Sequence, residues 1–226
     1  MTIVRHKQRS KNGRKRKGFS LIEIIISMFI LSMVVGGILS FNFQMIKAGY
    51  FSELKNQINR DIRTVTNELD TAAQEANYFV LYKSFDADDR NSSEDRLYDN
   101  RSGDFLVLVS ISDASVTSGT QLVDKVVGYY RDTGKENIGP VQTFTIEYST
   151  PVNIGSTGSS TLEGLFADSS SFTSTDQVLE LTKGLARGRL FYNFENNAIM
   201  VNGQIYHGKN EIRYSDTYNF TISPRG

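Results

Sequence analysis

One acid stands in a run where nothing else is charged. Phe19 to Ile46 reads FSLIEIIISMFILSMVVGGILSFNFQMI, 28 residues in which Glu23 is the only ionisable side chain. A carboxylate at the centre of a membrane segment costs about 2.5–3.5 kcal/mol on insertion scales, and less near the interface. That cost becomes intelligible if the chain is cut after Gly18. Phe19 would then carry a free α-ammonium four residues before Glu23, one helical turn away. Ammonium and carboxylate, on one helix or on neighbours, could pair in an apolar surround and set the axial register between subunits, because unpaired charge there is strongly penalised. Gly18 and Phe19 are therefore read as a cleavage site, and Glu23 as an assembly device. A plain signal-anchor gives Glu23 no role. Neither does a cleaved secretory signal, for which Val35-Gly36-Gly37 would be the small-residue site, without an A-x-A pattern.

Other chemistry is sparse. There is no cysteine, which excludes disulfides, thiolate metal sites and a cysteine nucleophile. Of two histidines, His6 precedes the cut, and His207 falls beside an expected hairpin turn and is read as an exposed turn residue. Histidine triads and His-rich zinc sites have no material here. The polar stretch Ser84 to Gly103 holds Asp86, Asp88, Asp89, Glu94, Asp95 and Asp99, hard oxygen ligands that suit calcium. Arg90, however, occupies a position where an EF-hand loop needs a ligand, and no glycine follows. A solvated acidic loop is the reading adopted, with no metal and no cofactor expected. Gly155-Ser156-Thr157-Gly158 is low-complexity sequence, not a phosphate cradle, and no pair of carboxylates stands out as catalytic.

The elements that must position these residues follow from charge and periodicity. Residues 1–18 carry eight cations (Arg5, Lys7, Arg9, Lys11, Arg14, Lys15, Arg16, Lys17) and no acid. The rest has 17 cations against 25 anions, so a formal net charge of zero conceals a basic head on a body of charge −8. Such a body argues against nucleic-acid binding through the external part. The basic head should remain in the cytoplasm and send everything after Ile46 outward. The segment 19–46 is long enough to span a membrane as a helix. Beyond Lys47, the residues Phe51, Leu54, Ile58, Ile62, Val65, Leu69, Ala72, Ala76 and Phe79 recur at steps of three and four. With no proline between Phe19 and Tyr82, the pattern predicts one helix of 64 residues: membrane-spanning over 19–46, amphipathic over 47–82.

Residues 83–226 read as strands. Expected strands are 104–112 (apolar on both faces, hence central and covered by the helix), 122–131, 141–150, 189–194, 198–201, 204–207, 211–214 and 218–223. Asn202-Gly203 reads as a two-residue hairpin turn, with further turns at 207–210 and 215–217. Gly155 to Thr175 has 14 Gly, Ser or Thr among 21 residues and reads as a mobile surface insertion between two groups of strands, leaving room for two subsheets. The fold class is α+β: a long N-terminal helix packed on an antiparallel sheet domain.

Lys17-Gly18-Phe19-Ser20-Leu21-Ile22-Glu23 ahead of an apolar stretch closely resembles the type III signal of type IV pilins, pseudopilins and competence pilins. The resemblance covers about 30 residues and implies a pilin-like fold. It also implies that a prepilin peptidase cuts after Gly18 and N-methylates Phe19, with Glu23 the acidic fifth residue of the mature chain that aids filament assembly. Many major pilins carry a helix proline about 20 residues in; here Gly36-Gly37 stands near that place, so local melting on assembly is expected there. Arg60 to Leu69, before an all-β remainder, resembles both the J-type minor pseudopilin of type II secretion and the W-type minor pilin of type IV pili. The resemblance implies a non-enzymatic minor subunit of the bacterial inner membrane. Its partners would be prepilin peptidase, other minor and major pilins or pseudopilins, and the inner-membrane assembly platform. It would prime a secretion pseudopilus or, alternatively, serve a pilus in adhesion, twitching or DNA uptake. A membrane-anchored extracytoplasmic enzyme or receptor is the reading from a different class.

Overall fold

The computed structural model describes residues 18–112, 120–131, 141–155, 160–167, 175–176, 189–209 and 212–225. The chain divides into two compact units, 1–50 and 51–226. After residues 18–20, a single helix, α1 (Leu21–Glu75), supplies the rest of the described part of the first unit and begins the second. Within the first unit every described side chain is exposed, including Leu21, Ile25, Phe29, Met33 and Phe41. The helix passes through Gly36-Gly37 without a break.

In the second unit α1 becomes one-sided. Leu54, Ile58, Val65, Leu69 and Ala73 are buried, with Ile62 and Ala72 partly so, and the positions between them face water. The helix ends seven residues short of the expected Tyr82. Tyr78–Tyr82 is a strand, β1, paired residue for residue with β3 (Phe105–Ile111), from Tyr78 opposite Val109 to Tyr82 opposite Phe105. Phe79 falls on the helical stripe by coincidence of spacing. The run YFVLY is aromatic and β-branched, and it gains a full ladder and burial on both faces as a strand. The boundary placed at residue 82 therefore moves to residues 75–78.

Two antiparallel sheets follow. The first has the order β1-β3-β4-β5-β6, with β4 at Thr120–Arg131, β5 at Val141–Gly155 and β6 at Thr175–Asp176. The second is β2-β7-β8-β9, with β2 at Ser102–Gly103, β7 at Phe191–Phe194, β8 at Ala198–Lys209 and β9 at Ile212–Ile222. Strand β3 is covered on both sides, as its unbroken apolar run requires. Leu106 and Leu108 join the α1 stripe in a core completed by Ile199, Val201, Ile205 and Ile222 of the second sheet. Phe105, Val107 and Val109 face a separate core with Tyr82, Val126, Phe144 and Phe166.

The C-terminal strands are longer and fewer than the sequence suggests. Asn202-Gly203 is not a turn; it lies inside β8, where Asn202 pairs with Asn219 and Gly203 with Tyr218. The glycine is needed for packing: a Cβ there would lie 2.4 Å from the Tyr218 hydroxyl and 2.5 Å from Cζ. Gly128 does the same for Phe144, its partner across β4 and β5, whose ring atoms would lie 2.2 Å from a Cβ. The expected turn at 215–217 likewise lies within β9, and His207 within β8, opposite Tyr214.

The stretch 155–175 is not wholly a surface insertion. Its described part holds a short helix, α2 (Leu162–Leu165), capped by Thr161, whose hydroxyl accepts from Gly164 N–H at 3.2 Å. Leu162 and Phe166 are buried in the second core. Residues 156–159 and 168–174 lie outside the described residues. The 84–103 stretch is a loop with two 3-10 turns, Ala87–Asp89 and Ser93–Asp95, and ends in β2.

Candidate functional site

Gly18, Phe19 and Ser20 precede α1 and are exposed, so the Gly18–Phe19 bond lies outside the helix. Ser20 opens the helix. Its hydroxyl accepts from Glu23 N–H at 3.3 Å, and the Glu23 carboxylate accepts from Ser20 N–H at 3.4 Å. This reciprocal arrangement satisfies two backbone donors that a helix start would otherwise leave open. Glu23 thus has a local duty that sequence reasoning overlooked, although the Ser-x-x-Glu spacing was there to signal it. The carboxylate also lies in the first turn, where the helix dipole favours negative charge.

The second unit has its own polar centre. The Glu163 carboxylate, on α2, is 3% exposed. Its Oε1 accepts from the Tyr82 hydroxyl at 2.9 Å, from Arg96 Nε at 2.7 Å and from Arg96 Nη2 at 2.7 Å. Burial pushes the Tyr82 hydroxyl far above its ordinary range, with the Glu163 charge adding to the effect. Tyr78 next to it is pushed up to about 12, chiefly by burial, with Arg96 opposing and Glu163 reinforcing. Desolvation, the largest single influence, lowers Arg96, but hydrogen bonding to Glu163, the Glu163 charge and Tyr82 together outweigh it and raise the group. Tyr78, Arg96 and Glu163 line a cavity of about 580 Å³. Nothing in the spacing of residues 78, 96 and 163 announces this meeting.

The acidic loop is organised from within. Asp89 bonds Lys83 at 2.8 Å and Ser84 at 2.7 Å, and these contacts hold its carboxyl below the usual range. Arg90 points inward at 5% exposure, with Nε donating to the Phe85 carbonyl at 2.7 Å and Nη1 to the Phe166 carbonyl. Its guanidinium lies 4.3 Å from the Phe85 ring centroid. The arginine that breaks the EF-hand spacing therefore ties this loop to the end of α2. Among the described residues, no three acids or histidines converge as a metal site would require.

A second buried cluster is structural. Asp104, 1% exposed, accepts from Arg131 Nη2 at 2.7 Å, Arg189 Nη1 at 2.6 Å and Leu190 N–H at 2.9 Å. It fastens β4 and the approach to β7 onto the start of β3.

Comparison with known proteins adds one finding at the other end of the chain. The family model of the prokaryotic N-terminal methylation motif matches residues 13–39, which include Gly18, Phe19 and Glu23. No curated protein and no solved structure matches the chain. Helix α1 is long and apolar enough to cross a membrane, which is consistent with an inner-membrane-anchored pilin. The architecture, a long N-terminal helix packed with two antiparallel sheets, is pilin-like. The chain thus carries a type IV pilin-family signal, which implies processing by a prepilin peptidase and assembly with other pilins.

Proposed function

We propose that this chain is a non-enzymatic minor pilin-like subunit that primes or joins a type II secretion pseudopilus. The observation that carries the reading is the methylation motif over residues 13–39, with its basic head, Gly18-Phe19 junction and single acid. Gly18 is the last leader residue, and Phe19 becomes the methylated N-terminus. The basic head holds the N-terminus in the cytoplasm, and the β-rich unit lies in the periplasm or outside. Residues 21–46 find their partners in lipid before assembly and in neighbouring helices afterwards, since they are exposed throughout within this chain. Glu23 pairs with the new α-ammonium of its own or an adjacent subunit. In that environment the pair competes with the capping role that Glu23 holds at Ser20.

The layout of Arg60 to Leu69 ahead of a β-rich remainder resembles J-type pseudopilins and W-type minor pilins alike, so a minor type IV pilin is the second reading. Neighbouring genes separate the two: a secretin, a secretion ATPase and sister pseudopilins against a retraction ATPase. The central test is mass spectrometry of the mature chain after co-expression with a prepilin peptidase. The expected product begins at N-methylated Phe19, and Glu23→Ala is expected to reduce filament incorporation while leaving cleavage in place. An intact leader, or a mature start near Gly36 or Gly37, refutes the proposal. Unchanged localisation and an enzymatic or receptor activity indifferent to Glu23→Ala would instead support a membrane-anchored protein of another class.

A further inference from the structure

The second unit contains a cavity that the N-terminal signal does not account for. The cavity of about 580 Å³ lies where β1, the turn at 91–96, β4, the end of β5 and the start of α2 meet. Its size falls in the range of roughly 300–1,000 Å³ typical of small-molecule sites. Its walls are held by the protein's own bonds. Ser92 caps the Ser93–Asp95 turn, accepting from Glu94 N–H at 3.1 Å, while its own N–H donates to Asp95 at 2.9 Å. Thr161 caps α2, and Glu163 is fixed by Tyr82 and Arg96. Both capping hydroxyls act as acceptors in these bonds, and among the described residues neither donates elsewhere, so each retains an O–H for a ligand.

The lining selects a chemical class. Among the described lining residues Arg96 is the one cation and Glu163 the one carboxylate, and they lie 2.7 Å apart, so the described lining carries no net charge. An ionic ligand would meet like charge from one member of this pair while losing its own hydration. The rest of the polar lining, including Asn91, Ser93 and Gln121, both donates and accepts. That mixture matches a ligand whose groups also do both, namely one rich in hydroxyls. Tyr78, Ile154 and Leu162 add aromatic and apolar groups to the lining, which suit carbon-bound hydrogens. We propose that this cavity binds a neutral sugar, one or two saccharide units, through Asn91, Ser93, Gln121 and the Arg96–Glu163 pair, with Tyr78 against a sugar face. Glycoside cleavage ordinarily needs two carboxylates across the scissile bond. With a single one among the described lining residues, the role proposed for the site is binding rather than hydrolysis. The proposal is independent of whether the chain enters a filament.

The test uses the full chain in a detergent without a sugar headgroup, titrated by calorimetry and saturation-transfer NMR. The probes are glucose, galactose, N-acetylglucosamine and cellobiose, with glucuronate and glucosamine as charged counterparts. Immobilised neutral glycans form a second arm. Binding of a free neutral saccharide identifies a small-molecule ligand; binding only to immobilised glycans identifies the end of a polymer, and either result supports the site. Asn91→Ala and Gln121→Ala, both at exposed wall positions, are each expected to weaken binding roughly tenfold, the scale of one lost hydrogen bond. Asn67→Ala, exposed on α1, is expected to leave binding unchanged. The proposal is overturned if no neutral probe binds at millimolar concentration in either arm, or if the charged counterparts bind better. It is also overturned if folded Gln121→Ala, verified by circular dichroism, binds as wild type.

Discussion

Asp104→Ala tests whether the Asp104–Arg131–Arg189 cluster holds the second unit together. The carboxylate and the Arg131 side chain are each 1% exposed, and the Arg189 side chain is 29% exposed. Truncation removes the Asp104 counter-charge from a guanidinium that water cannot reach, and it strands the Leu190 N–H in the interior. Breaking a buried pair by deleting one partner typically costs 3–5 kcal/mol, so a loss of about 4 kcal/mol is expected. That is a large share of the roughly 5–15 kcal/mol available to a folded domain. With a denaturant slope of about 2 kcal/mol per molar urea, the midpoint should fall by about 2 M. The assay is urea unfolding of the full chain in detergent, followed by far-ultraviolet circular dichroism and tyrosine fluorescence. Asp104→Asn, which retains an acceptor for Leu190 but not the charge, should fall between wild type and Asp104→Ala. The control is Lys125→Ala, which breaks more exposed pairs with Glu75 at 3.0 Å and Glu147 at 3.3 Å. Its cost should stay within about 1 kcal/mol. If Asp104→Ala costs no more than Lys125→Ala, the argument from burial is wrong.

The other expectations can be checked with standard tools. Gly203→Ala drives a methyl group into the Tyr218 ring and should destabilise by about 1–3 kcal/mol, read as a lower urea midpoint; a neutral result would show that the ring moves aside freely. Burial raises Tyr78 and Tyr129 to about 12, so the stability they contribute is complete below their unfolded value of about 10. That contribution should be lost as pH rises from 10 through 12, with tyrosinate absorbance and unfolding appearing together. Asp89 titrates below its ordinary value because of Lys83 and Ser84, so its contribution is present above pH 3.8 and lost as pH falls further. Lys83→Ala should move the Asp89 carboxyl upward in an NMR titration. Gly18→Val should block leader removal, with Gly18→Ala partly tolerated; a gel mobility shift on co-expression with the peptidase reads both, and normal processing of Gly18→Val would contradict the assigned cut.

The parts of this protein that could be read in advance are those governed by neighbours along the chain. The apolar run from Phe19 to Ile46, the one-sided stripe from Leu54 to Ala73 and the strand at Phe105–Ile111 each carry their period in consecutive residues. The N-terminal signal is local too, and the family model matches the same residues. The misreadings have one origin. Phe79 satisfies a helical step and a strand alternation equally, and the ladder with β3 decides between them. Asn202-Gly203 has the composition of a hairpin turn, yet Gly203 is small because Tyr218 crosses over it on the next strand.

By itself, the sequence determined that the chain carries an N-terminal methylation motif, which helical segment is apolar all round, and that a β-rich unit follows. Hydrophobic period, charge segregation and a short motif act over a few residues and need no fold to be expressed. Only the tertiary structure decided that Glu163 meets Tyr82 and Arg96 beside a cavity, and that Asp104 gathers two arginines. Those residues lie 27 to 85 positions apart. Such pairings depend on sheet register and on which face of a strand each side chain occupies. A polar residue in a loop-like stretch looks solvated until packing removes the water, and then it must find its partner across the fold.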